Sequence, residues 1–360
     1  MRLSLDASTL PALALGCSVF GTGGGGDPAI GLLMALQAVE DFGPVPLMGL
    51  DELPAEGLLM PCGMIGAPTV HIEKFENGEE GRRLRDEVER LWGRPVVALM
   101  CAELGGSNGL LPIAWSARMG LPLVDADGMG RAFPEVPQVT MHLAGISPSP
   151  GVMTDERGNL IVFRPLDGRW MERLARAAAV ELGGSAASAE YCLTVAEAAG
   201  ATVQGSLSRA IEVGRAVREA EHDPVEALVG AVGAFRLIEG KVSDVERRTT
   251  RGFVRGSVVI EGLAGDTGRL LRLEIQNENL IALEAGRMLA SVPDLISVVD
   301  SETADAIATE RVRYGQRVTV VAFPCDPIWR SPSGLEMVGP RAFGYDIDYV
   351  PVEELADATA

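Results

Sequence analysis

A continuous apolar run, Pro95-Val96-Val97-Ala98-Leu99-Met100-Cys101, stands in the first third of this 360-residue chain. Such a run is typical of a strand that is buried on both faces. A glycine-rich loop, a segment of helical character over residues 110–119 and a second apolar run, Leu121-Pro122-Leu123-Val124-Asp125, follow it. The order predicts a β-α-β unit with parallel strands, and open sheets of this kind bind ligands beyond the carboxyl ends of their strands.

The flanking segments extend this pattern into an α/β domain. Upstream, we predict helices over residues 6–15, from Pro28 onward and over 77–92, and strands over 45–48 and 58–61. Downstream, a turn sequence at residues 155–159 predicts a β-hairpin over residues 150–163. Ala and Leu dominate residues 168 to about 234, which we expect to be mostly helical.

Short strand-like segments replace the helical pattern from about Arg251. Gly, Asp or Pro turns separate them, and they cover residues 253–261, 269–276, 280–283, 295–299 and 317–322. This spacing is typical of a β-sandwich or barrel. We therefore expect an α/β domain over residues 1–240 and a mainly β domain over residues 241–360.

Composition narrows the classes of function. With 47% hydrophobic and 22% charged residues the chain is globular, and its formal net charge of −19 disfavours nucleic acid and anionic membranes as partners. No apolar segment reaches the roughly 18 residues of a membrane helix. The five cysteines form no C-x-x-C pair, and residues 1–6 lack a secretory signal pattern. We therefore predict a reduced, cytoplasmic protein without a zinc ribbon.

A glycine run, Gly21-Thr22-Gly23-Gly24-Gly25-Gly26, precedes the helix start Asp27-Pro28. Ordering four consecutive glycines is entropically costly, so we expect the backbone there to do something that a side chain would block. Asp27 suits a helix N-cap and Pro28 a first helical position. The run therefore predicts that Gly23 to Gly26 offer free backbone N–H groups to a carbonyl oxygen or an anion.

Two other interpretations of the glycine run stay open. Gly21, Gly23 and Gly26 match the dinucleotide fingerprint G-x-G-x-x-G, which needs a strand directly before it and an acidic residue ending the next strand. Here the preceding segment is predicted to be helical, the strand over residues 45–48 has no terminal acid, and no Gly-Lys-Ser/Thr follows. We therefore expect no nucleotide. The run also fits a tight loop between packed helices.

Two carboxylates lie in the segment after the second apolar run, Asp125-Ala126-Asp127-Gly128-Met129-Gly130-Arg131. At the carboxyl end of a strand, Asp125 and Asp127 suit acid–base catalysis or a divalent metal, and Arg131 suits a substrate carboxylate. Aspartates also form ordinary turns by bonding their own backbone, and that alternative stays open.

The loop after the first apolar run, residues 103–109, faces the same predicted crevice. Glu103 suits a general base and Asn108 a donor to a carbonyl oxygen, although both residue types also cap loops. Cys101 is expected to be a buried structural cysteine rather than a nucleophile. The two loops together predict a small-molecule site at this edge of the sheet.

Two further candidates lie elsewhere in the sequence. His142 follows the acidic loop and is the preferred histidine for the site, whereas His71 is expected at the surface or in the core. Asn277 lies in the polar strand end at residues 274–279, which either reaches the cleft between the domains or forms a turn.

Five segments together resemble a known family, and they span nearly the whole chain in order. They are residues 21–28, 125–135, Gln276-Asn277-Glu278-Asn279-Leu280, Val292-Pro293-Asp294-Leu295-Ile296 and residues 339–345. The combination resembles the S-methyl-thiohydantoin desulfurase-like family. The resemblance implies an N-terminal three-layer α/β/α domain followed by a smaller, mainly β, barrel-like domain. It also implies chemistry on five-membered cyclic amides, because family members often accompany hydantoinase/oxoprolinase-type enzymes.

Two hypotheses of function follow. In the first, the chain is a hydrolase of a hydantoin- or thiohydantoin-like ring, in which water attacks the C–S or C–N carbon. Asp125 or Asp127 activates the water, directly or through a metal, and the glycine run stabilises the developing anion. In the second, the chain is a non-catalytic accessory or binding subunit of a hydantoinase-type enzyme. A homo-oligomer is compatible with either hypothesis.

Overall fold

Ten strands form one sheet and seven strands a second in the part of the chain that the computed structural model describes. The described residues are 3–66, 70, 74, 76–250 and 253–357, with the backbone alone at 249 and 250. His71 lies outside them. No helix among these residues is long and apolar enough to cross a membrane.

The first sheet is mixed, and its central strands are parallel. Its strands are β1 (Ser4–Leu5), β2 (Val45–Met48), β3 (Leu58–Gly66), β4 (Val96–Cys101), β5 (Leu123–Asp127), β6 (Gly151–Thr154), β7 (Leu160–Phe163), β8 (Ser185–Ala189), β9 (Leu193–Thr194) and β10 (Val203–Gln204). The order is β1-β2-β5-β4-β3-β8-β6-β7, with β10 beside β5 and β9 beside β3. Strands β2, β5, β4 and β3 run parallel, so their carboxyl ends meet at one edge.

Helices connect and cover these strands. They are α1 (Leu10–Phe20), α2 (Pro28–Phe42), α3 (Glu80–Trp92), α4 (Leu111–Met119), α5 (Thr140–Leu143), α6 (Gly168–Glu181), α7 (Val195–Ala198), α8 (Ser206–Arg218) and α9 (Pro224–Val232), followed near the C-terminus by α10 (Pro332–Val338) and α11 (Val352–Asp357). Asp27 caps α2 as predicted, since its Oδ1 accepts the Ala29 N–H at 3.0 Å.

The second sheet is a curled, antiparallel half-barrel. Its strands are β11 (Phe235–Thr250), β12 (Phe253–Gly262), β13 (Leu270–Gln276), β14 (Glu278–Glu284), β15 (Arg287–Ser291), β16 (Leu295–Asp300) and β17 (Arg317–Phe323), in the order β15-β14-β13-β12-β11-β17-β16. Alternate apolar side chains, among them Ile238, Val258 and Val320, fill its interior.

The two sheets share a continuous core. Phe20 at the end of α1 packs edge-to-face on Phe323 of β17, with ring centroids 5.9 Å apart. The Trp329 indole donates to the Met129 carbonyl at 2.7 Å. Near the start of β14, the Asn279 N–H donates to the Thr22 carbonyl at 2.8 Å. The half-barrel therefore contacts the glycine run directly.

The predicted fold class, an α/β domain with a barrel-like β part, is confirmed. The predicted β-α-β unit is β4-α4-β5, and the hairpin is β6-β7. The domain division at residue 240 stays a prediction. It falls inside β11, whose first residue, Phe235, already pairs with β17.

Three predicted segments differ from the structure. The first helix begins at Leu10 rather than at residue 6, because Asp6 Oδ1 accepts the Ser8 and Thr9 N–H groups in a turn. Residues 168–234 contain β8, β9 and β10 as well as helices, since the small residues of β8 fit a strand that lies between β3 and β6. Strand β5 runs two residues further, so Asp125 lies inside the strand.

Candidate active site

A cavity of about 120 Å³ lies where the carboxyl ends of β3 and β4 meet the glycine run and the half-barrel. Segments from both sheets line it: the end of β3, the loop after β4, the end of β8 and the turn between β13 and β14. One wall is apolar and includes Met64, Ile65, Phe133, Val136 and Met141. The position matches the crevice expected for an open α/β sheet.

Carbonyl groups of the glycine run accept hydrogen bonds from backbone N–H groups elsewhere in the chain. The Gly25 carbonyl accepts the Asn108 N–H and the Gly26 carbonyl the Ser107 N–H, each at 3.2 Å, and the Gly23 carbonyl accepts the Thr309 N–H at 2.9 Å. Because a trans peptide holds C=O and N–H on opposite sides, the Gly26 N–H points away from Asn108.

Two amides of the run are left for a ligand. Within the described residues the N–H groups of Gly25 and Gly26 donate to no acceptor, and both glycines line the cavity. They have φ values of +77° and +83°, which only glycine adopts readily. The run also lies at the N-terminus of α2, where the helix dipole favours negative charge.

Gly24 makes room for an acid from the half-barrel. A Cβ at this position would lie 2.0 Å from Oε1 of Glu278, the first residue of β14. Only glycine therefore lets that carboxyl group approach the run. Glu278 is 2% exposed, and its Oε2 has no hydrogen-bond partner in the described part of the chain.

Glu103, in the loop after β4, is the second buried acid of the cavity. Its Oε1 accepts the Asn108 Nδ2 donor at 2.6 Å, while its Oε2 meets no partner among the described residues. Asn108 is itself fixed, because it bonds the N–H and the carbonyl of Met64 at 2.8 and 3.2 Å. The predicted pair does face one cavity, but the Asn108 amide serves Glu103 and β3.

Glu190, directly after β8, is the third buried acid of the cavity. It is 7% exposed, lines the cavity, and its Oε1 has no partner among the residues described. Burial raises the pKa of Glu190 to about 8 and that of Glu103 to about 7. Burial, and then the nearby Glu103, raise the pKa of Glu278 well above its usual range. The cavity thus holds acids that exchange protons near neutral pH or stay protonated.

The two aspartates of the acidic loop do not line this cavity. Asp125 accepts the N–H and the hydroxyl of Ser208 at 3.0 and 2.6 Å and so ties β5 to α8. Asp127 Oδ2 accepts three backbone N–H groups at 2.8–2.9 Å, those of Leu104, Met129 and Gly130. Its Oδ1 has no partner among the described residues, but it lies outside the cavity lining. Burial raises the pKa of Asp127 to about 7.

Arg131 is buried and joins the two sheets. Its guanidinium donates to the carbonyls of Pro293 and Asp294 at 2.6 and 3.0 Å and to the Thr22 hydroxyl at 3.0 Å. Arg176 is the basic side chain of the cavity lining, and its Nε is paired with Glu172 at 2.8 Å. A role for Arg131 with a substrate carboxylate thus has no support from its contacts.

His142 and Asn277 lie at the edge of the site. His142 does not line the cavity, but its Nδ1 is 3.2 Å from the hydroxyl of Tyr191, which does. Asn277 lines the cavity, and it bonds the N–H and carbonyl of Val254 at 2.9 and 2.7 Å. Tyr191 and Asn277 both have positive φ, +54° and +57°, a conformation that is strained for tyrosine.

No group of three or more His, Cys, Asp or Glu side chains arranged to hold a metal occurs in the described ranges. Asp125 and Asp127 are engaged with different partners, so their contacts give no support to a shared metal. All five cysteines are buried and free, and burial raises the pKa of Cys101 well above its usual range.

Sequence reasoning did not single out Glu190, Glu278 or Tyr191. Glu278 is the neighbour of Asn277 in the polar segment at residues 274–279, so the polarity of that segment could have identified it. Glu190 and Tyr191 follow Ser185-Ala186-Ala187-Ser188-Ala189, whose composition favours helix, so their position at a strand end was hidden.

Comparisons with known proteins agree on the fold and the family. Family models described as the N-terminal and C-terminal domains of S-Me-THD-like proteins match residues 8–165 and 166–352. A crystal structure of a protein from Chromobacterium violaceum superposes with a TM-score of 0.81 at 24% identity, over 97% of this chain and 100% of that one. No curated protein matches.

Proposed function

Since the chain belongs to the S-Me-THD-like family, we propose that it hydrolyses a thiohydantoin- or hydantoin-like ring bound in the cavity. The observation that carries the proposal is the meeting of three buried acids and two backbone N–H groups around one small cavity. Within the described part of the chain, each acid has an oxygen without a partner and neither N–H group has an acceptor. Acids with raised pKa values and preorganised amide donors are the groups that acyl and amidine hydrolysis requires.

The proposed reaction begins when water attacks the ring carbon that bears sulfur. Ionised Glu103 takes the proton of this water, and the electron pair of the ring C=N bond moves onto nitrogen and the conjugated carbonyl oxygen. The N–H groups of Gly25 and Gly26 stabilise that oxygen. The electron pair then returns to re-form the C=N bond as the C–S bond breaks, and the sulfur leaves as a thiol with a proton from a buried acid such as Glu278. The second proton of the water moves from the new hydroxyl to the ring nitrogen, which leaves a ring carbonyl and a ring N–H. The proton taken by Glu103 restores the acid that protonated the sulfur.

Asp125, Asp127 and Arg131 take a different part in this proposal. Asp127 holds the backbone of Leu104 and thereby positions Glu103, its neighbour in the chain. Arg131 anchors the half-barrel beside the glycine run and thereby positions Glu278. Cleavage of a ring C–N bond at the carbonyl carbon would use the same groups, with the oxyanion again at Gly25 and Gly26.

The test is turnover of an S-methyl-thiohydantoin by the purified full-length chain, with thiol release measured by a thiol reagent and ring opening by mass spectrometry. Glu103→Gln removes the base without changing shape, and we expect the rate to fall about a hundredfold or more. Glu310→Gln is the matched control, because Glu310 is half-buried, its oxygens have no partner among the described residues, and it lies outside the cavity lining.

The outcomes separate the two hypotheses of function. Equal rates for Glu103→Gln and the wild type would overturn the assigned base. If the isolated chain is inactive and a complex with a hydantoinase-type enzyme is active only when this chain is present, the accessory role replaces the hydrolase.

A further inference from the structure

The cavity is large enough for a single small ring. An engineered protein cavity of roughly 150 Å³ accommodates benzene. At about 120 Å³, the cavity at the glycine run therefore has room for a five-membered ring.

Some polar atoms of the cavity lining have hydrogen-bond partners within the described chain, and others do not. Glu103 Oε2, Glu190 Oε1 and Glu278 Oε2 have no hydrogen-bond partner among the described residues, and these three glutamates are 8%, 7% and 2% exposed. They come from three different elements, the loop after β4, the end of β8 and the start of β14, so they approach the cavity from different directions. Buried polar atoms almost always have a hydrogen-bond partner, and here the ligand is the available source.

We infer that the site recognises its ring through both ring nitrogens, and so excludes rings that are alkylated on nitrogen. This inference rests on the proposed function, because it assumes a hydantoin-like ring. The N–H groups of Gly25 and Gly26 match a ring carbonyl. A bound hydantoin carries no leaving sulfur and needs no attacking water, so Glu103, Glu190 and Glu278 are all available to its ring nitrogens. A carboxylate oxygen accepts a ring N–H, and a protonated carboxyl donates to an unprotonated ring nitrogen. An N-alkyl group removes that partner and leaves a buried oxygen unpaired.

Three isomers test the inference on the unmodified full-length chain. 5-Methylhydantoin, 1-methylhydantoin and 3-methylhydantoin have the same atoms, and only the last two lose an N–H. By calorimetry we expect 5-methylhydantoin to bind like hydantoin, and both N-methyl isomers to bind about tenfold more weakly or worse. Equal affinities for the three isomers would overturn the inference and leave the proposed function standing.

Failure of the proposed function has a different signature. If neither hydantoin nor 5-methylhydantoin binds, the ring class itself is wrong and the inference falls with it. If all methyl isomers lose affinity equally while hydantoin binds, the cavity selects by size alone and the recognition of nitrogen is overturned.

Variants assign the recognition to individual acids. Glu103→Met, Glu190→Met and Glu278→Met each replace a carboxyl by an apolar group of similar length. We expect the preference for 5-methylhydantoin over the N-methyl isomers to fall towards unity in at least one of them, and to be kept in Glu310→Met. An unchanged preference in every folded variant would overturn the role of these acids, and the isomer series on the wild type stands if a variant does not fold.

Discussion

The acidic loop after β5 and the glutamates of the cavity are two sets of buried carboxyl groups with opposite surroundings. The protein supplies Asp125 and Asp127 with five donors, three of them backbone N–H groups on a single oxygen. Each of the three glutamates lines the cavity and keeps an oxygen without a partner in the described chain, whereas the one unpartnered aspartate oxygen, Asp127 Oδ1, lies outside the cavity lining. A carboxylate satisfied by the backbone holds loops together, whereas an unsatisfied one at a cavity costs stability until a ligand arrives. An unpartnered oxygen at the cavity, rather than position at a strand end, therefore separates the two roles.

The largest expected effect on stability comes from removing the carboxylate of Asp127. Asp127→Ala leaves three buried N–H groups without an acceptor, and we expect the free energy of unfolding to fall by about 3 kcal/mol. Asp125→Ala, which frees only the part-buried Ser208, is the control, with an expected loss of about 1 kcal/mol. Urea denaturation measures both. A larger loss for Asp125→Ala would reverse the structural ranking of the two aspartates.

The second prediction concerns the contact between Gly24 and Glu278. In Gly24→Ala the new methyl group collides with the Glu278 carboxyl, which must move away from the glycine run. We expect turnover to fall about a hundredfold, the size of a typical acid–base contribution, with little change in the melting temperature. Gly200→Ala is the control, because a Cβ there meets nothing within 4 Å. Full activity of Gly24→Ala would show that the position of Glu278 is unimportant.

The third prediction uses the pH dependence of stability. Burial raises the pKa of Glu190 to about 8, so the folded state keeps a proton that the unfolded state loses. The contribution of Glu190 is complete below the unfolded pKa of about 4.5 and is lost as the pH rises through 8. The stability of Glu190→Gln relative to the wild type should therefore grow between pH 5 and 8, by at most about 1.4 kcal/mol per pH unit.

The pH dependence of the stability of Glu103→Gln is the companion to the measurement on Glu190→Gln. Burial raises the pKa of Glu103 to about 7, so the same trend is expected to end about one pH unit lower. Denaturant midpoints at four or five pH values measure both variants. A stability difference that stays constant across this range would mean that these carboxyl groups ionise as easily in the folded protein as in the unfolded chain.

Much of the fold was predictable because it depends on local pattern. The run at residues 95–101 predicted a buried parallel strand, and Asp27-Pro28 predicted the start of α2. Strand β8 was missed because Ala favours helix in isolation, and only packing between β3 and β6 makes small residues suitable for a strand. That error also concealed Glu190.

Sequence alone determined most of the elements, the glycine run and the acids Glu103, Asp125 and Asp127, because helix caps, apolar periodicity and glycine's conformational freedom act over a few residues. Tertiary structure alone decided which polar atoms have partners. Asp127 meets the N–H of Leu104 from 23 positions away, and Glu278 reaches Gly24 across more than 250 positions. Hydrogen-bond satisfaction depends on such distant neighbours, and so the cavity acids became distinguishable from the structural aspartates only in the folded chain.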